Sequence, residues 1–192
     1  MISKKFLTGI STLIFILSAT VAYAHGRYGD AAAFFFLKSA AMSVPQVIES
    51  VQKEEGGQVF SFRIEREEDN PLQYEMKILK DSKVFEAKVD PKSGKVLKTE
   101  SKGVFSRLFG DRERQPLQAK LSLKDAISIV EKQYGGKALR GTFQGKSSIK
   151  MFRIRVANNE GAFTIMVDAN TGELFRVLNQ EGRNHDDEES DE

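Results

Sequence analysis

Apolar and polar residues recur along the chain with two distinct periods. In two segments the apolar positions repeat every three or four residues, the spacing of one face of a helix. The first set is Val44, Val47, Ile48 and Val51, and the second is Leu123, Ala126, Ile127 and Val130. Each segment follows a serine, Ser43 or Ser122, and ends at a Gly-Gly pair. Serine caps helix N-termini and glycine ends helices, so the pattern predicts two capped helices.

Other segments alternate with a period of two, which predicts strands of a sheet with one buried face. Their apolar members are Phe60, Phe62 and Ile64; Tyr74, Met76 and Ile78; Phe85, Ala87 and Val89; Phe152, Ile154 and Val156; and Phe163, Ile165 and Val167. In both halves of the chain the strands follow the helix. This order predicts an α+β unit of one helix packed on an antiparallel sheet.

The two halves also resemble each other. Residues 43–57 match residues 122–136 at an offset of 79, and "VDPKSGKVL" matches "VDANTGELF" at an offset of 78. A single one-residue shift reconciles the two offsets, so we interpret the pattern as an internal duplication with a period too long for a solenoid. The predicted fold is therefore α+β, with two repeated units.

The segment "VDANTGEL" raises the question of a metal, because Asp168, Asn170 and Gly172 occupy alternate positions as in a calcium loop. An EF-hand loop, however, needs glycine at position 6 and glutamate at position 12, and neither is present. Both copies lie between two strand patterns. We therefore predict structural hairpin turns, in which aspartate caps the turn and glycine takes a positive φ. The turn residues are Asp90, Gly94, Asp168 and Gly172.

A helix, a Gly-Gly pair, an aromatic-led strand ("YEMKIL", "FRIRVA"), a hairpin and "V-D-x-x-[ST]-G" together resemble the PepSY domain. Both copies carry the signature, so the chain resembles a tandem PepSY protein. The resemblance implies a domain without catalytic residues, found in peptidase propeptides and in exported proteins that bind or regulate extracytoplasmic peptidases. It does not name the partner, because one fold serves many functions.

The first 24 residues have the plan of a secretory signal peptide: Lys4 and Lys5, an apolar run, and Ala22-Tyr23-Ala24 as a cleavage site. An uncleaved membrane anchor is the alternative. We expect cleavage after Ala24 and a periplasmic or secreted protein. The chain contains no cysteine, so core burial alone must stabilise it and thiol chemistry is excluded.

The segment "NHDDEESDE" carries six acids and no apolar residue, and we expect it to be disordered. Removing these acids and the two signal-peptide lysines changes the formal net charge from +2 to +6. The segment is interpreted either as a solubilising tail, or as one that competes with an acidic partner for the basic body or collects cations.

The sequence divides into six regions. These are a signal peptide (1–24), an apolar helical segment (25–40), a first PepSY-like domain (41–100), a linker (101–118), a second PepSY-like domain (119–179) and an acidic tail (180–192). The apolar stretch Ala31–Met42 is expected to pack on the first unit rather than dock a partner. Within the linker, Val104, Phe105, Leu108 and Phe109 have helical spacing, typical of a helix that seals the joint or touches anionic lipid.

Three common enzyme motifs are missing from the chain. It has two histidines, His25 and His185, no H-E-x-x-H helix, no G-x-S-x-G elbow and no phosphate loop. We therefore predict no catalytic residues, no metal site and no cofactor.

The remaining candidates are cations assigned to the outward face of the second sheet: Lys150, Arg153, Arg155 and Arg176. Such a row suits an acidic protein surface, lipid headgroups or the chain's own tail. Its charge is too mild to indicate nucleic acid. The leading hypothesis is an exported, non-enzymatic protein that binds and modulates, most plainly by inhibition, a peptidase. Contact with a membrane is the less favoured interaction. The alternative is an envelope sensor or scaffold that responds to cations, lipid or a sensor protein.

Overall fold

The computed structural model describes residues 29–65, 72–104, 118–146 and 149–177. The predicted signal peptide, residues 105–117 of the linker region and the acidic segment lie outside the described residues. The helices are α1 Gly29–Ser39, α2 Val44–Glu55 and α3 Leu123–Tyr134. The strands are β1 Gln58–Glu65, β2 Gln73–Lys80, β3 Lys83–Val89, β4 Val96–Val104, β5 Lys137–Lys146, β6 Ile149–Asn158, β7 Gly161–Asp168 and β8 Leu174–Val177.

The strands form one continuous sheet of eight, in the order β4-β3-β2-β1-β5-β6-β7-β8, with every neighbouring pair antiparallel. Each repeat supplies four strands. The repeats meet where β1 pairs with β5, through Ser61 with Thr142, Phe62 with Gly141 and the Arg63–Arg140 pair. The α+β prediction with two repeated units is confirmed, and the structure adds that the two sheets are joined into one.

Both helices begin as the serine pattern predicts. The hydroxyl of Ser43 accepts from the Gln46 backbone N–H, and the Gln46 side chain accepts from the Ser43 N–H at 2.8 Å. Ser122 and Asp125 form the same reciprocal pair around α3. Each capping box satisfies open N–H groups of a helix end and fixes where the helix starts.

The two glycines of each Gly-Gly pair have different tasks. Gly56 and Gly135 end the helices with positive φ of 73° and 64°. The second glycine runs against the neighbouring strand. A Cβ at Gly57 would lie 2.5 Å from the carbonyl oxygen of Leu79. A Cβ at Gly136 would lie 2.5 Å from the carbonyl oxygen of Ala157. Neither position has room for a side chain, so the chain passes from helix to strand only through glycine.

One hydrophobic core runs beneath both repeats. It lies between the sheet and the pair α2 and α3, which contact each other as well as the strands. We call this side of the sheet the helix face; its fully buried members include Phe62, Met76, Phe152, Ile154 and Val156. The opposite side is the far face, and it carries Arg63, Glu75, Arg140, Arg153 and Arg155. Strand alternation separates the two sets.

A helix side chain supports the bulge in the first strand of each repeat. The pairing register shifts between Val59 and Ser61 in β1 and between Ala138 and Arg140 in β5. The Gln52 side-chain oxygen accepts from the Val59 N–H at 3.1 Å. In the second repeat the Glu131 carboxylate accepts from the Ala138 N–H at 2.9 Å. A bulge leaves one residue out of the ladder, and these acceptors satisfy an amide beside it.

Helix α1 contacts both repeats. It buries Phe34 and Leu37 in the common core, while Phe35 stays 67% exposed. Phe36 lines a surface cavity of about 400 Å³ together with Asp90, Pro91 and other residues of the first repeat. At the other end Asp30 pairs with Arg155 of the second repeat. The apolar segment Ala31–Met42 thus packs, as expected, but it joins the two repeats instead of covering the first alone.

Within the described residues no single helix is long and apolar enough to cross a membrane. The one pair of helices that together meets the length and composition criteria, α1 with α2, is bent by 74°.

Candidate partner-binding face

The two V-D-x-x-[ST]-G turns connect the last two strands of each repeat. In the second, Asp168 Oδ1 accepts from the backbone N–H groups of Asn170 at 2.8 Å and Thr171 at 2.9 Å. Gly172 adopts φ 78° and donates its N–H to the Asp168 carbonyl at 2.9 Å. The aspartate therefore organises the turn that carries it.

The first turn uses the same design, with a hydroxyl in place of one of the two amide donors. Asp90 Oδ1 accepts from the Lys92 N–H at 3.0 Å, and Oδ2 accepts from the Ser93 hydroxyl at 2.6 Å. Gly94 has φ 69° and donates to the Asp90 carbonyl.

Hydrogen bonds to these carboxylates favour their charged form. They lower the pKa of Asp168, chiefly through the Thr171 amide, and the pKa of Asp90, chiefly through the Ser93 hydroxyl. Among the described residues, no group of three or more His, Cys, Asp or Glu side chains is placed to hold a metal ion. The described contacts of Asp90 and Asp168 are those of an aspartate that caps a hairpin turn.

The four cations predicted to share a face do not all do so. Arg153 and Arg155 lie on the far face of β6, because they alternate with the buried Phe152, Ile154 and Val156. Lys150 has the opposite parity and therefore belongs to the helix side, where its Nζ lies 3.4 Å from the Gln118 carbonyl. The grouping of Lys150 with the two arginines is thus wrong, for the simple reason that residues three or five apart on a strand face opposite ways. The backbone of Arg176 pairs with that of Ile165 in β7.

Three arginines, which we call the arginine row, stand directly opposite one another across the junction of the two repeats. Arg155 on β6 pairs in register with Arg140 on β5, and Arg140 pairs with Arg63 on β1. Like charges placed directly opposite on neighbouring strands repel each other. The row is therefore costly unless anions compensate it.

The outer two arginines have anionic partners. Arg63 contacts Glu75 at 2.7 Å and Glu65 at 3.1 Å. Arg155 contacts Asp30 through two guanidinium nitrogens, Nε lying 3.2 Å from Asp30 Oδ2. The hydrogen bond to Glu75 raises the pKa of Arg63. The charge-assisted pairs fix both ends of the row.

Arg140, at the centre of the row, is exposed and has no hydrogen bond or ion pair to any described residue; the same holds for the nearby Arg153. Sequence reasoning missed Arg140 because the alternation of period two does not extend to its strand. The far-face residues of β5 and β6 in the described part of the chain include no acid. This half of the far face is consequently cationic.

The far face of the first repeat is different, since it carries acids that pair with several of its cations. Lys102 contacts Glu86 at 2.9 Å and Glu100 at 3.2 Å, and Lys98 contacts Glu100 at 2.5 Å. The two halves of one sheet surface thus differ in charge although they derive from one repeated pattern.

The two ends of the sheet also differ. Strand β4 has nine residues and only one paired neighbour among the described strands. Leu97 and Val104 on it are 52% and 37% exposed. Strand β8, at the opposite end, has four residues. Edge strands present unpaired N–H and C=O groups to solvent, so β4 offers the longer template for an added strand.

Buried polar chemistry is sparse. Tyr74 is fully buried, its hydroxyl has no hydrogen-bond partner among the described residues, and desolvation raises its pKa. Burial likewise raises the pKa of Glu131, whose carboxylate accepts from the Ala138 amide. Both groups lie in the packing between helix and sheet.

The sequence matches the family described as peptidase propeptide and YPEB domain, PepSY, over residues 41–100 and 120–178. Among solved structures, a protein described as a lipoprotein of Clostridium difficile is 16% identical, with a TM-score of 0.40, covering 67% of this chain and 86% of that one. The YpeB C-terminal domain of Bacillus megaterium is 12% identical, with a TM-score of 0.29, covering 74% and 69%. No curated protein matches the chain. Both TM-scores lie below 0.5, so neither structure carries an argument about the family of this chain. The family is shown by the sequence match over residues 41–100 and 120–178.

Proposed function

The chain belongs to the PepSY family, and on that premise we propose that it is an exported, non-enzymatic binding protein that inhibits an extracytoplasmic peptidase. PepSY is a propeptide and regulatory family rather than a catalytic one, its proteins are generally extracytoplasmic, and its domains typically interact with peptidases. Two such domains in one chain and the signal-peptide pattern of residues 1–24 support this assignment.

The observation that carries the proposal is the position of β4, whose outer edge pairs with no other described strand. A peptidase binds its substrate as an extended strand, and an edge strand of nine residues can pair with the substrate-binding strand of the enzyme through main-chain hydrogen bonds. Leu97, half exposed on that edge, supplies a side chain for an apolar pocket. Pairing at β4 would occupy the peptidase cleft without any chemistry from this protein.

The test starts from residues 25–192, the form expected after cleavage behind Ala24. This form is immobilised, incubated with periplasmic extract, and the retained proteins are identified by mass spectrometry. We expect an enriched peptidase, whose activity then falls when the purified protein is added. Retention of envelope or sensor proteins without any peptidase would contradict the proposal.

A matched pair of variants locates the interaction. Leu97→Lys changes an exposed aliphatic residue on the edge strand. Ile149→Lys makes the same change at a residue that is 65% exposed on β6, a strand with neighbours on both sides. Inhibition should weaken in Leu97→Lys and persist in Ile149→Lys. Equal loss in both variants would exclude the β4 edge as the docking surface.

The exported state is tested separately. N-terminal sequencing of the protein recovered from the cell envelope fraction should begin at His25. Recovery of the intact N-terminus in a membrane fraction would show an anchor instead.

A further inference from the structure

The arginine row presents a charge that the described part of the fold leaves incompletely compensated. Arg63 and Arg155 have carboxylate partners, whereas Arg140, between them, has none among the described residues. Arg153 lies one pair further along β6, exposed on the same face. Four guanidinium groups within a few strand spacings form a surface that would bind an acidic peptide through charge-assisted, bidentate hydrogen bonds.

We propose that the chain's own acidic segment, residues 186–192, docks on this cationic half of the far face, with its carboxylates at Arg140 and Arg153. The segment carries six acids within seven residues. It would supply an anion to the centre of the row, where the described residues provide none. The contact would also cover the surface against other acidic partners.

The position of the last described residue supports the acidic segment as the ligand of this face. Val177, the last described residue, pairs with Thr164; Thr164 pairs with Arg155, and Arg155 with Arg140. The chain therefore leaves the sheet in the same register row as the arginines. Strand β8 is three strands away from β5, a distance of roughly 14 Å at the usual strand spacing.

The connecting length is ample. Eight residues, 178–185, separate Val177 from Asp186. An extended chain spans at most about 3.6 Å per residue, so these residues reach roughly 30 Å, twice the distance needed. Linking two groups through a short connection gives a local concentration on the order of millimolar, which favours even a weak contact between opposite charges.

The test uses a spin label, since the chain contains no native cysteine. Ser190→Cys in residues 25–192 provides the single thiol for a nitroxide. At low salt we expect the label to broaden the amide signals of Arg140, Thr142 and Arg153. The signals of Glu86 and Glu100, three and four strands away from β5, should be broadened less than these. In 1 M salt the Debye length falls to about 3 Å, so the broadening should be lost.

Two double variants, each removing two cations, distinguish docking at Arg140 and Arg153 from nonspecific electrostatic attraction of the acidic segment to any basic side chain. R140Q/R153Q should abolish the selective broadening. Both side chains are exposed, and neither has a described partner, so the fold should be retained, which the dispersion of the spectrum checks. K98Q/K102Q removes two cations from the first repeat, where they are paired with acids, and should leave the broadening unchanged.

Three results would overturn the proposal. One is broadening that is absent or spread evenly over the surface. Another is selective broadening that survives in R140Q/R153Q. The third is broadening seen only between labelled and unlabelled copies in a mixed sample, which would place the segment on a second molecule. A further experiment adds vesicles of anionic lipid. If the vesicles shift the amide signal of Arg140 while the spin label does not broaden it, the arginine row binds lipid and the acidic segment is not its ligand.

Discussion

Phe62 of the first repeat faces Gly141 of the second across the strand pair that joins the repeats. The two positions are equivalent in the duplication, being separated by the same offset of 79 that relates the two helices. A local pseudo-twofold axis therefore passes between them. A Cβ at Gly141 would lie 2.9 Å from Phe62 Cε1 and 3.0 Å from Leu123 Cδ1. The junction thus has room for the Phe62 ring because the equivalent residue of the second repeat, Gly141, has no side chain.

Gly141→Ala tests this arrangement. The added methyl group must displace a fully buried phenylalanine in a close-packed core, which we expect to cost about 1–3 kcal/mol in the free energy of unfolding. Denaturant unfolding measures it. Gly29→Ala is the control, because a Cβ there meets nothing within 4 Å. In a Phe62→Leu background the cost of Gly141→Ala should shrink, and a strictly additive double variant would contradict the direct contact.

Glu131→Gln should change how stability depends on pH. Burial raises the pKa of Glu131, so the folded protein holds this proton more tightly than the unfolded chain does. Wild-type stability therefore falls as the pH rises above the ordinary value for glutamate and through the raised one. Glutamine keeps the acceptor for the Ala138 amide but does not ionise. The variant should match the wild type at low pH and be more stable at neutral pH, as measured by urea unfolding at several pH values.

The first repeat contains the reciprocal control for that prediction. Gln52 makes the equivalent hydrogen bond to Val59. Gln52→Glu should introduce a loss of stability with rising pH where the wild type has none at that position. A difference between Glu131→Gln and the wild type that stays constant from pH 4 to pH 8 would show that ionisation of Glu131 is not its cause.

Asp30→Asn should loosen α1 without unfolding the sheet. The substitution removes the anionic partner of Arg155, at a cost below about 1 kcal/mol for a partly exposed pair. Hydrogen exchange should accelerate at α1 amides and remain unchanged in α3. Glu49→Gln breaks the exposed pair with Lys124, whose atoms lie 3.2 Å apart, and serves as the control. Unaltered exchange in α1 would mean that the buried Phe34 and Leu37 suffice to hold the helix.

The aspartate turns predict a response to pH but none to calcium. The amides of Thr171 and Asn170 lower the pKa of Asp168, so its contribution to stability is present above the ordinary aspartate pKa and is lost as the pH falls. Asp168→Asn should destabilise the protein at pH 7 and reduce its sensitivity to acid, with Asp90→Asn behaving alike. Calcium chloride should leave the melting temperature of the wild type unchanged. A rise in that temperature that disappears in Asp168→Asn would instead show a metal site.

Much of the fold could be predicted from short-range patterns. The serine caps, the Gly-Gly pairs and the strands β2, β3, β6 and β7 all follow local rules that a repeat displays twice. Strand β5 escaped prediction because its bulge places Ala138 and Leu139 side by side in the core and two glycines interrupt the alternation. A period-two pattern fails where the strand itself departs from it.

The candidate face was harder to predict than the fold. Arg153 and Arg155 follow from alternation, but Arg140 and Arg63 join them only through pairing between repeats. That pairing places Phe62 against Gly141, a contact between the repeats and not within either one. The partner of Arg155, Asp30, lies 125 residues away. No local pattern reports such contacts, because they arise when separate segments meet.

The continuous sheet has a mechanical consequence for proteolysis. The β1–β5 ladder and the packing of α2 on α3 hold the repeats together directly, without the chain that connects β4 to α3. A nick between residues 105 and 117 should therefore leave the two fragments associated as a non-covalent complex that elutes as one species. A protease that cuts there would convert one polypeptide into two without separating the two repeats.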